Sequence, residues 1–259
     1  MIQAHSTVLV TGASSGIGVD IAKEFAKRQC TLVLLARRQD RLEQVAQEIR
    51  QRFGVTVHVL ALDATQKDAI AKVQDFLANQ DLTLDVLVNN AGFGHCGYFA
   101  ETDAEDQLGM IDLNIRALTA FTHAFLPAMV DRRKGGVLNV ASVAAFQPGP
   151  KMAVYYASKA YVLSFSEALH EEVSDQHVHV TALCPGPTES EFASVANVQD
   201  TKLFEQHTMS SAEVAKEGVE AFYRNQAVVV SGLKNKVLAA SVRFTPRFLP
   251  RKIAHYLQK

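Results

Sequence analysis

The chain has 259 residues, 48% hydrophobic and 20% charged, with 26 basic and 27 acidic residues for a net charge of −1. That balance excludes a disordered polyelectrolyte and the strongly basic surface of a nucleic-acid binder, and it supports a substantial apolar core. Three scattered cysteines (Cys30, Cys96, Cys184) exclude a disulfide framework, and no apolar run approaches the ~18 residues of a membrane span. With a strand starting by Thr7, there is no room for a signal peptide, and a cytoplasmic protein is the expectation.

Thr7-Val-Leu-Val-Thr11 is a short β-branched run, followed by Gly12-Ala-Ser14-Ser15-Gly16-Ile17-Gly18. Ile17, Ile21 and Phe25 then recur at helical spacing. A strand, a glycine-rich turn and a helix in that order make an anion site, because backbone N–H groups and the helix N-terminus face a pyrophosphate. The spacing Gly-x-x-x-Gly-x-Gly differs from the commoner Gly-x-Gly-x-x-Gly, and an ordinary tight turn remains the alternative. The next strand, Thr31–Ala36, ends in Arg37-Arg38. An acidic residue there would bind a ribose 2′-hydroxyl, whereas an arginine fork suits a 2′-phosphate. The residues therefore favour NADP(H), with NAD(H) left open.

A helix (about Gln39–Phe53), a strand (Thr56–Leu62), a helix (about Gln66–Asn79) and a strand (Leu84–Asn89) then alternate as in βαβ units on a parallel sheet. Asp63 and the sequence Asn89-Asn90-Ala91-Gly92 fall at the carboxyl edge, where ligands collect. A long helix, about Ala104–Arg133 with an interruption near Pro127, carries the polar Asn114 amid apolar neighbours.

Gly136–Ser142 reads as a strand, and a Pro/Gly loop leads to a helix containing Tyr155-Tyr-Ala-Ser-Lys159. Four-residue spacing puts Tyr155 and Lys159 on one helix face. A phenol ionises near pKa ~10, and an adjacent ammonium lowers that value and brings proton transfer within reach. Ser142 adds a hydroxyl donor from a different element. Alone, the pair also reads as an interfacial tyrosine and a surface lysine.

The strand His177–Cys184 ends in Pro185-Gly186-Pro-Thr188. Residues from about 189 to 210 lack a period and read as a lid over the sheet edge. Ser211 looks like the N-cap of a helix to Arg224, and Ala227–Ser231 is a last strand. From Ala221 onward there is no Asp or Glu but eight Lys/Arg residues, all but Arg224 in a tail over about 233–259 with helical segments broken at Pro246 and Pro250. The tail either docks its apolar side on the domain or meets an anionic lipid surface or acidic carrier.

Together, Thr11-Gly12-x-x-x-Gly16-x-Gly18, Asp63, Asn89-Asn-Ala-Gly92, Asn114, Ser142, Tyr155-x-x-x-Lys159 and Pro185-Gly-Pro-Thr188 resemble the short-chain dehydrogenase/reductase family over roughly residues 6–190. The resemblance implies one α/β domain over residues 1–259, a Rossmann-like, doubly wound parallel sheet, and hydride transfer between a nicotinamide and a carbonyl or secondary alcohol. It implies Tyr155, rather than Tyr156, as proton donor. Lys159 lowers the phenol pKa and binds the nicotinamide ribose, Ser142 orients the carbonyl, and Asn114 holds a relay water. Gly12, Ser14, Ser15, Gly16, Ile17, Gly18, Arg37, Arg38, Asp63, Asn90, Ala91, Gly92, Tyr155, Lys159, Pro185, Gly186 and Thr188 bind the cofactor. A small carbonyl or alcohol substrate of lipid-like, ketoacyl or steroid-like type and a homo-oligomer (dimer or tetramer) are also expected. A catalytically silent dinucleotide sensor with the same fold is the alternative. His95-Cys96 and His177-Val-His179 lack a third ligand at useful spacing, so no metal is expected.

Overall fold

Strand β1 (Thr7–Thr11) is buried along its whole length and opens a parallel sheet whose both faces are covered. The computed structural model describes residues 4–198, 201 and 208–257, with the backbone alone at Leu257. In chain order β1 is followed by α1 (Gly16–Ala26), β2 (Thr31–Ala36), α2 (Gln39–Phe53), β3 (Val57–Ala61), α3 (Ala69–Asn79) and β4 (Leu84–Asn89). Next come α4 (Ala104–Ile111), a π-helical turn (Asp112–Ala117), α5 (Leu118–Asp131), β5 (Gly135–Val140), α6 (Ala153–Glu172) and β6 (Val178–Cys184). The remaining elements are β7 (Thr188–Glu189), α7 (Phe192–Val195), β8 (Met209–Ser210), α8 (Ser211–Tyr223), β9 (Val228–Val230), α9 (Leu233–Val242) and α10 (Phe248–Leu257).

The seven-stranded sheet runs β3-β2-β1-β4-β5-β6-β9 with every pairing parallel, a Rossmann-like doubly wound arrangement. Strand order reverses between β1 and β4, which opens a crevice at their carboxyl ends. On one face Ile21 and Phe25 of α1, Leu42 and Ile49 of α2 and Val219 and Phe222 of α8 pack on Val8, Val10, Leu32 and Leu34. On the other, Val73 and Leu77 of α3 and Phe121, Phe125 and Met129 of α5 cover Leu9, Val33, Leu35 and Leu87. Alternate residues of each strand thus serve opposite layers.

Several expected boundaries move for identifiable reasons. The helix over about 104–133 is interrupted at the π-helical turn around Asn114, while Pro127 sits inside α5. Pro127 and His123, whose carbonyl loses its partner to the proline, are both on the exposed side, where that carbonyl can turn to water. Ser210, one residue before the expected cap, forms a reciprocal capping box with Glu213. Pro250 does not break the tail; it lies in the first turn of α10, where its missing N–H costs nothing. Of the expected lid, residues 199–200 and 202–207 lie outside the described residues, as do 258–259 of the tail.

The expected docking of the tail's apolar side is overturned. Helix α9 buries Ala239 and exposes Leu233, Val237 and Leu238, and α10 buries Pro250 and Ala254 while exposing Phe248, Leu249, Ile253 and Tyr256. Helix α9 contacts β9 and the 143–146 turn, and both helices bury small residues and turn most of their bulky side chains outward. The side chain of Leu257, expected beside Ile253, lies outside the described residues.

Candidate functional site

The crevice begins at Thr11. Its hydroxyl donates to Val88 O (3.1 Å) and accepts from the backbone N–H groups of Asn90 (3.0 Å) and Ala91 (3.1 Å). The Asn90 side-chain amide donates to Thr11 O (3.0 Å) and Gly12 O (3.1 Å). Asn90 therefore holds the glycine-rich loop against the end of β4 with its own side chain. A Cβ on Gly12, which has a φ of +66°, would lie 2.8 Å from Ala91 Cα, so that position must be glycine. Helix α1 starts at Gly16 with Ser15 as N-cap, so its unpaired N–H groups open into the crevice.

At the end of β2, Arg38 donates through Nε and Nη2 to Ser14 Oγ (3.4 and 3.2 Å) and through Nη2 to Glu191 Oε2 (2.8 Å). Arg37 is exposed beside it. Asp63 accepts from Thr65 N (2.9 Å) and Oγ1 (2.7 Å). Burial alone would raise its pKa, but the Thr65 hydrogen bonds and the Arg37 guanidinium together hold it below the ordinary carboxylate value.

The reactive end is built from β5, α6 and the π-helical turn. Ser142 caps a short 3₁₀ turn, with Oγ accepting from Ala144 N (3.1 Å) and donating to Pro185 O (3.4 Å), and its hydroxyl is near enough to Tyr155 to oppose the rise of the phenol's pKa. Tyr155 is 8% exposed, and burial pushes its phenol well above the ordinary value of 10 despite the opposing effect of Ser142. Lys159 is 6% exposed, donates from Nζ to Val140 O (2.8 Å), and lies 5.8 Å from the centroid of the Tyr155 ring. Burial lowers its pKa to about 8. The expectation that the ammonium depresses the phenol is thus outweighed: desolvation dominates both groups and pushes them in opposite directions.

Asn114, 1% exposed, spends its amide on Phe93 O (2.9 Å) and Ser158 Oγ (3.1 Å) and accepts from Phe93 N (3.1 Å). A Cβ on Gly92 would fall 2.9 Å from Asn114 Oδ1 and 3.5 Å from Lys159 Nζ, which places all three in one packed shell. A π-helical turn inside a helix is frequent at functional sites because it redirects backbone and side chains.

One cavity of about 570 Å³ joins the two ends. Gly12, Ser14, Ser15, Gly16, Ile17, Arg37, Arg38, Asp63, Asn90, Ala91, Gly92, Ser142, Tyr155, Lys159, Pro185, Gly186 and Thr188 all line it. Gly18 and Asn114 do not; they act from behind, Gly18 by making room for the Asn90 amide. Sequence reasoning missed the apolar wall of Phe93, Leu113, Met152, Phe192, Val195 and Val198, whose positions carry no motif. It also missed Glu191. His95 stands outside the cavity lining, 3.4 Å from Asp106 Oδ2. Among the described residues, no group of three His, Cys, Asp or Glu side chains could hold a metal ion.

The cradle fits a dinucleotide: glycine-enforced close approach, a helix N-terminus and two arginines lie at one end, and the buried Tyr155 and Lys159 at the other. Comparisons with known proteins agree with that geometry. A short chain dehydrogenase family model matches residues 6–201. The chain is 38% identical over 181 residues to the very-long-chain 3-oxoacyl-CoA reductase of Macaca fascicularis, covering 68% of this chain but only 57% of that protein. It is 40% identical over 190 residues to sulfoacetaldehyde reductase 2 of Chromohalobacter salexigens, covering 73% and 75% of the two chains. A short-chain dehydrogenase from Sphingobium yanoikuyae, solved in complex with NADPH, superposes with a TM-score of 0.82 at 34% identity over 92% of this chain and 94% of that one.

Lys159 generates a prediction about pH. Its folded pKa of about 8 lies below its ordinary value of 10.5, so the unfolded chain holds this proton more tightly. The burial penalty is complete below about pH 8 and fades as pH rises towards 10.5. Between pH 8 and 10 the unfolding free energy of the unmodified protein should therefore rise relative to that of Lys159→Met, by on the order of 2 kcal/mol. Urea unfolding of both proteins across that range checks it; parallel pH profiles would show that Lys159 is not desolvated in this way.

Proposed function

The chain belongs to the short-chain dehydrogenase family, and on that premise we propose that it is a nicotinamide-dependent oxidoreductase acting on a carbonyl or secondary alcohol. The observation that carries the reading is that Ser142, Tyr155 and Lys159 meet in the same cavity as the glycine-rich cradle. The bound dinucleotide supplies or accepts the hydride. This chain supplies the rest. Tyr155 gives its hydroxyl proton to the carbonyl oxygen during reduction and takes it back during oxidation. Ser142, fixed by Ala144 N and close to Tyr155, orients that oxygen. The Lys159 ammonium, held by Val140 O, stabilises the charge that develops on the tyrosine oxygen and binds the nicotinamide ribose. Asn114 fixes Phe93 and Ser158, and so the walls on either side of Tyr155 and Lys159. Gly12 and Ser14 to Ile17 hold the pyrophosphate, with Gly18 making room for the Asn90 amide behind them, and Pro185, Gly186 and Thr188 close the nicotinamide end.

The apolar wall from Phe93 to Val198 favours a lipid-like ketone, 3-oxoacyl or steroid-like substrate over a polar one. One domain over residues 1–259 carries this chemistry. The test is a panel of ketones and secondary alcohols, 3-oxoacyl thioesters included, with both cofactors. Tyr155→Phe should lose roughly 100-fold or more in turnover while its dinucleotide affinity changes little. No turnover on any member of the panel, with dinucleotide binding intact, would favour a catalytically silent sensor.

Cofactor choice follows from Arg37 and Arg38. A charge-assisted hydrogen bond worth about 1.5–3 kcal/mol gives roughly one to two decades of preference for NADP(H). Ala36→Asp with Arg37→Gln should move the preference towards NAD(H). Equal catalytic efficiency of the unmodified protein with the two cofactors would sink this assignment.

The tail bears on partners. Leu233 is 78% and Phe244 87% exposed, and with Val237, Leu238, Phe248, Ile253 and Tyr256 they form an apolar surface interleaved with Lys234, Lys236, Arg243, Arg247, Arg251 and Lys252. The chain from 221 to 259 has no carboxylate. Such a surface suits the headgroup region of an anionic membrane, where each basic residue is worth about 1 kcal/mol. An isologous contact between two tails would set like charges against each other. Helix α9 also packs beside the active-site cavity, since Asn235 abuts Gly186. Lipid contact there would bring apolar substrate to the cavity mouth. A homo-oligomer, dimer or tetramer, forms through other helix surfaces, around α5 and α6. Sedimentation with anionic vesicles at low salt should pellet the full chain but not a variant lacking residues 244–259. Full-length protein left in the supernatant would rule out the lipid contact, and a vesicle-free mass near 28 kDa would rule out the oligomer.

A further inference from the structure

Glu191 belongs to no motif, yet its carboxylate reaches across the cofactor cavity. It follows β7 and precedes α7, on the opposite wall from Arg38, and it accepts from Arg38 Nη2 at 2.8 Å. Both side chains are near half exposure, 46% for Arg38 and 45% for Glu191, and both residues line the cavity. The bond from Arg38 holds the Glu191 carboxyl below its ordinary pKa against the opposing effect of burial, and Ser15 adds a second hydrogen bond. Arg38 also donates to Ser14 Oγ, so its guanidinium sits between the glycine-rich loop and the far wall. Ser190, one residue earlier, rests over the same loop: a Cβ on Gly16 would lie 3.0 Å from Ser190 Cβ. One residue later, the Phe192 ring stands 5.2 Å from the Tyr155 ring. Three consecutive side chains thus touch the phosphate cradle, the arginine and the proton donor.

We propose that Glu191 is a specificity-determining residue: its carboxylate occupies Arg38 in the free protein and is displaced when a cofactor 2′-phosphate takes that guanidinium. The inference rests on the dinucleotide reading above. The physical case is a competition between two anions for one planar fork. A guanidinium binds carboxylate and phosphate oxygens by the same charge-assisted geometry. The 2′-phosphate carries more charge than Glu191 and arrives with Ser14 already hydrogen-bonded to Arg38 as a further donor group. An exposed ion pair is weak enough to exchange. NADP(H) must break the pair before it gains Arg38, whereas NAD(H), with no phosphate there, leaves it intact. The pair therefore lowers the selectivity that Arg37 and Arg38 would otherwise deliver. It also provides that only the phosphorylated cofactor releases the 190–192 strap from the β2 side.

The experiment is equilibrium fluorescence titration of the full chain with NADPH and with NADH. The proteins compared are the unmodified protein, Glu191→Gln, Arg38→Gln and the double variant, with thermal melts to confirm that each is folded. Glu191→Gln should tighten NADPH about two- to fivefold and leave NADH unchanged, as expected for releasing an exposed ion pair. The effect should vanish in the Arg38→Gln background, because the competition runs through that side chain. Weaker binding of both cofactors by Glu191→Gln would mean the carboxylate holds the bound dinucleotide, and the inference would be wrong. Unchanged affinities, or a gain that persists without Arg38, would overturn it equally. If the unmodified protein binds neither dinucleotide, the cofactor reading itself falls, which is a different result from unaltered selectivity.

Discussion

The hydrogen-bond knot at the reversal between β1 and β4 is the constraint on which the site depends. A parallel sheet that winds both ways must leave a gap where its strand order turns, and the chain ends on either side of that gap have unpaired backbone groups. Thr11 and Asn90 satisfy them reciprocally: the Thr11 hydroxyl serves two N–H groups and one carbonyl, and the Asn90 amide serves two carbonyls. Each bond contributes only about 1 kcal/mol net. Their joint effect is geometric: they fix Gly12 against Ala91 and hold the glycine-rich loop at the end of β4. Preorganisation of that kind lowers the ordering cost of binding.

A second buried network carries this rigidity to the reactive end. Asn89 donates to Thr122 Oγ1 (2.9 Å) and Asn139 Oδ1 (2.8 Å), and Asn139 donates to Ser166 Oγ (2.9 Å). The four side chains tie β4, α5, β5 and α6 together inside the core, and α6 is the helix that carries Tyr155 and Lys159. Buried polar groups left unpaired are costly, so the register of α6 against the sheet is specified more sharply than apolar packing alone would specify it. Proton transfer needs donor and acceptor within hydrogen-bond reach, and this network sets the distance on which that depends.

The glycine-rich loop, Asp63, the Asn89–Gly92 segment and Pro185–Thr188 were legible in the sequence because they sit at strand ends, and Tyr155 and Lys159 because their spacing matches a helix turn. Gly12 and Asn90 are required by close packing and by ligand access at once. What was hidden depended on neighbours that the local sequence does not name. The helix break belongs to Asn114 and not to Pro127, since Pro127 faces water and Asn114 is drawn in by Phe93 and Ser158. The apolar stripes of α9 and α10 were visible, but Leu233, Val237, Leu238, Phe248 and Ile253 stay exposed and the buried positions are the small Ala239 and Ala254. Glu191 and Phe192 lie in a segment with no periodicity, so only the three-dimensional structure brings them to Arg38 and Tyr155.

Lys159 shows how stability and function divide at this site. An ammonium placed at 6% exposure loses most of its hydration, and a single carbonyl, Val140 O, returns only part of it. Tyr155 is shifted the opposite way by the same burial, so the protein holds a lysine nearer to neutrality and a phenol that resists ionisation. Neither group is in its most reactive state on its own. The pair lines the cavity, and because both groups are buried a charge placed beside them acts more strongly than it would in water. The opposite shifts of Tyr155 and Lys159 thus have one cause, the burial of both groups in the same cavity wall.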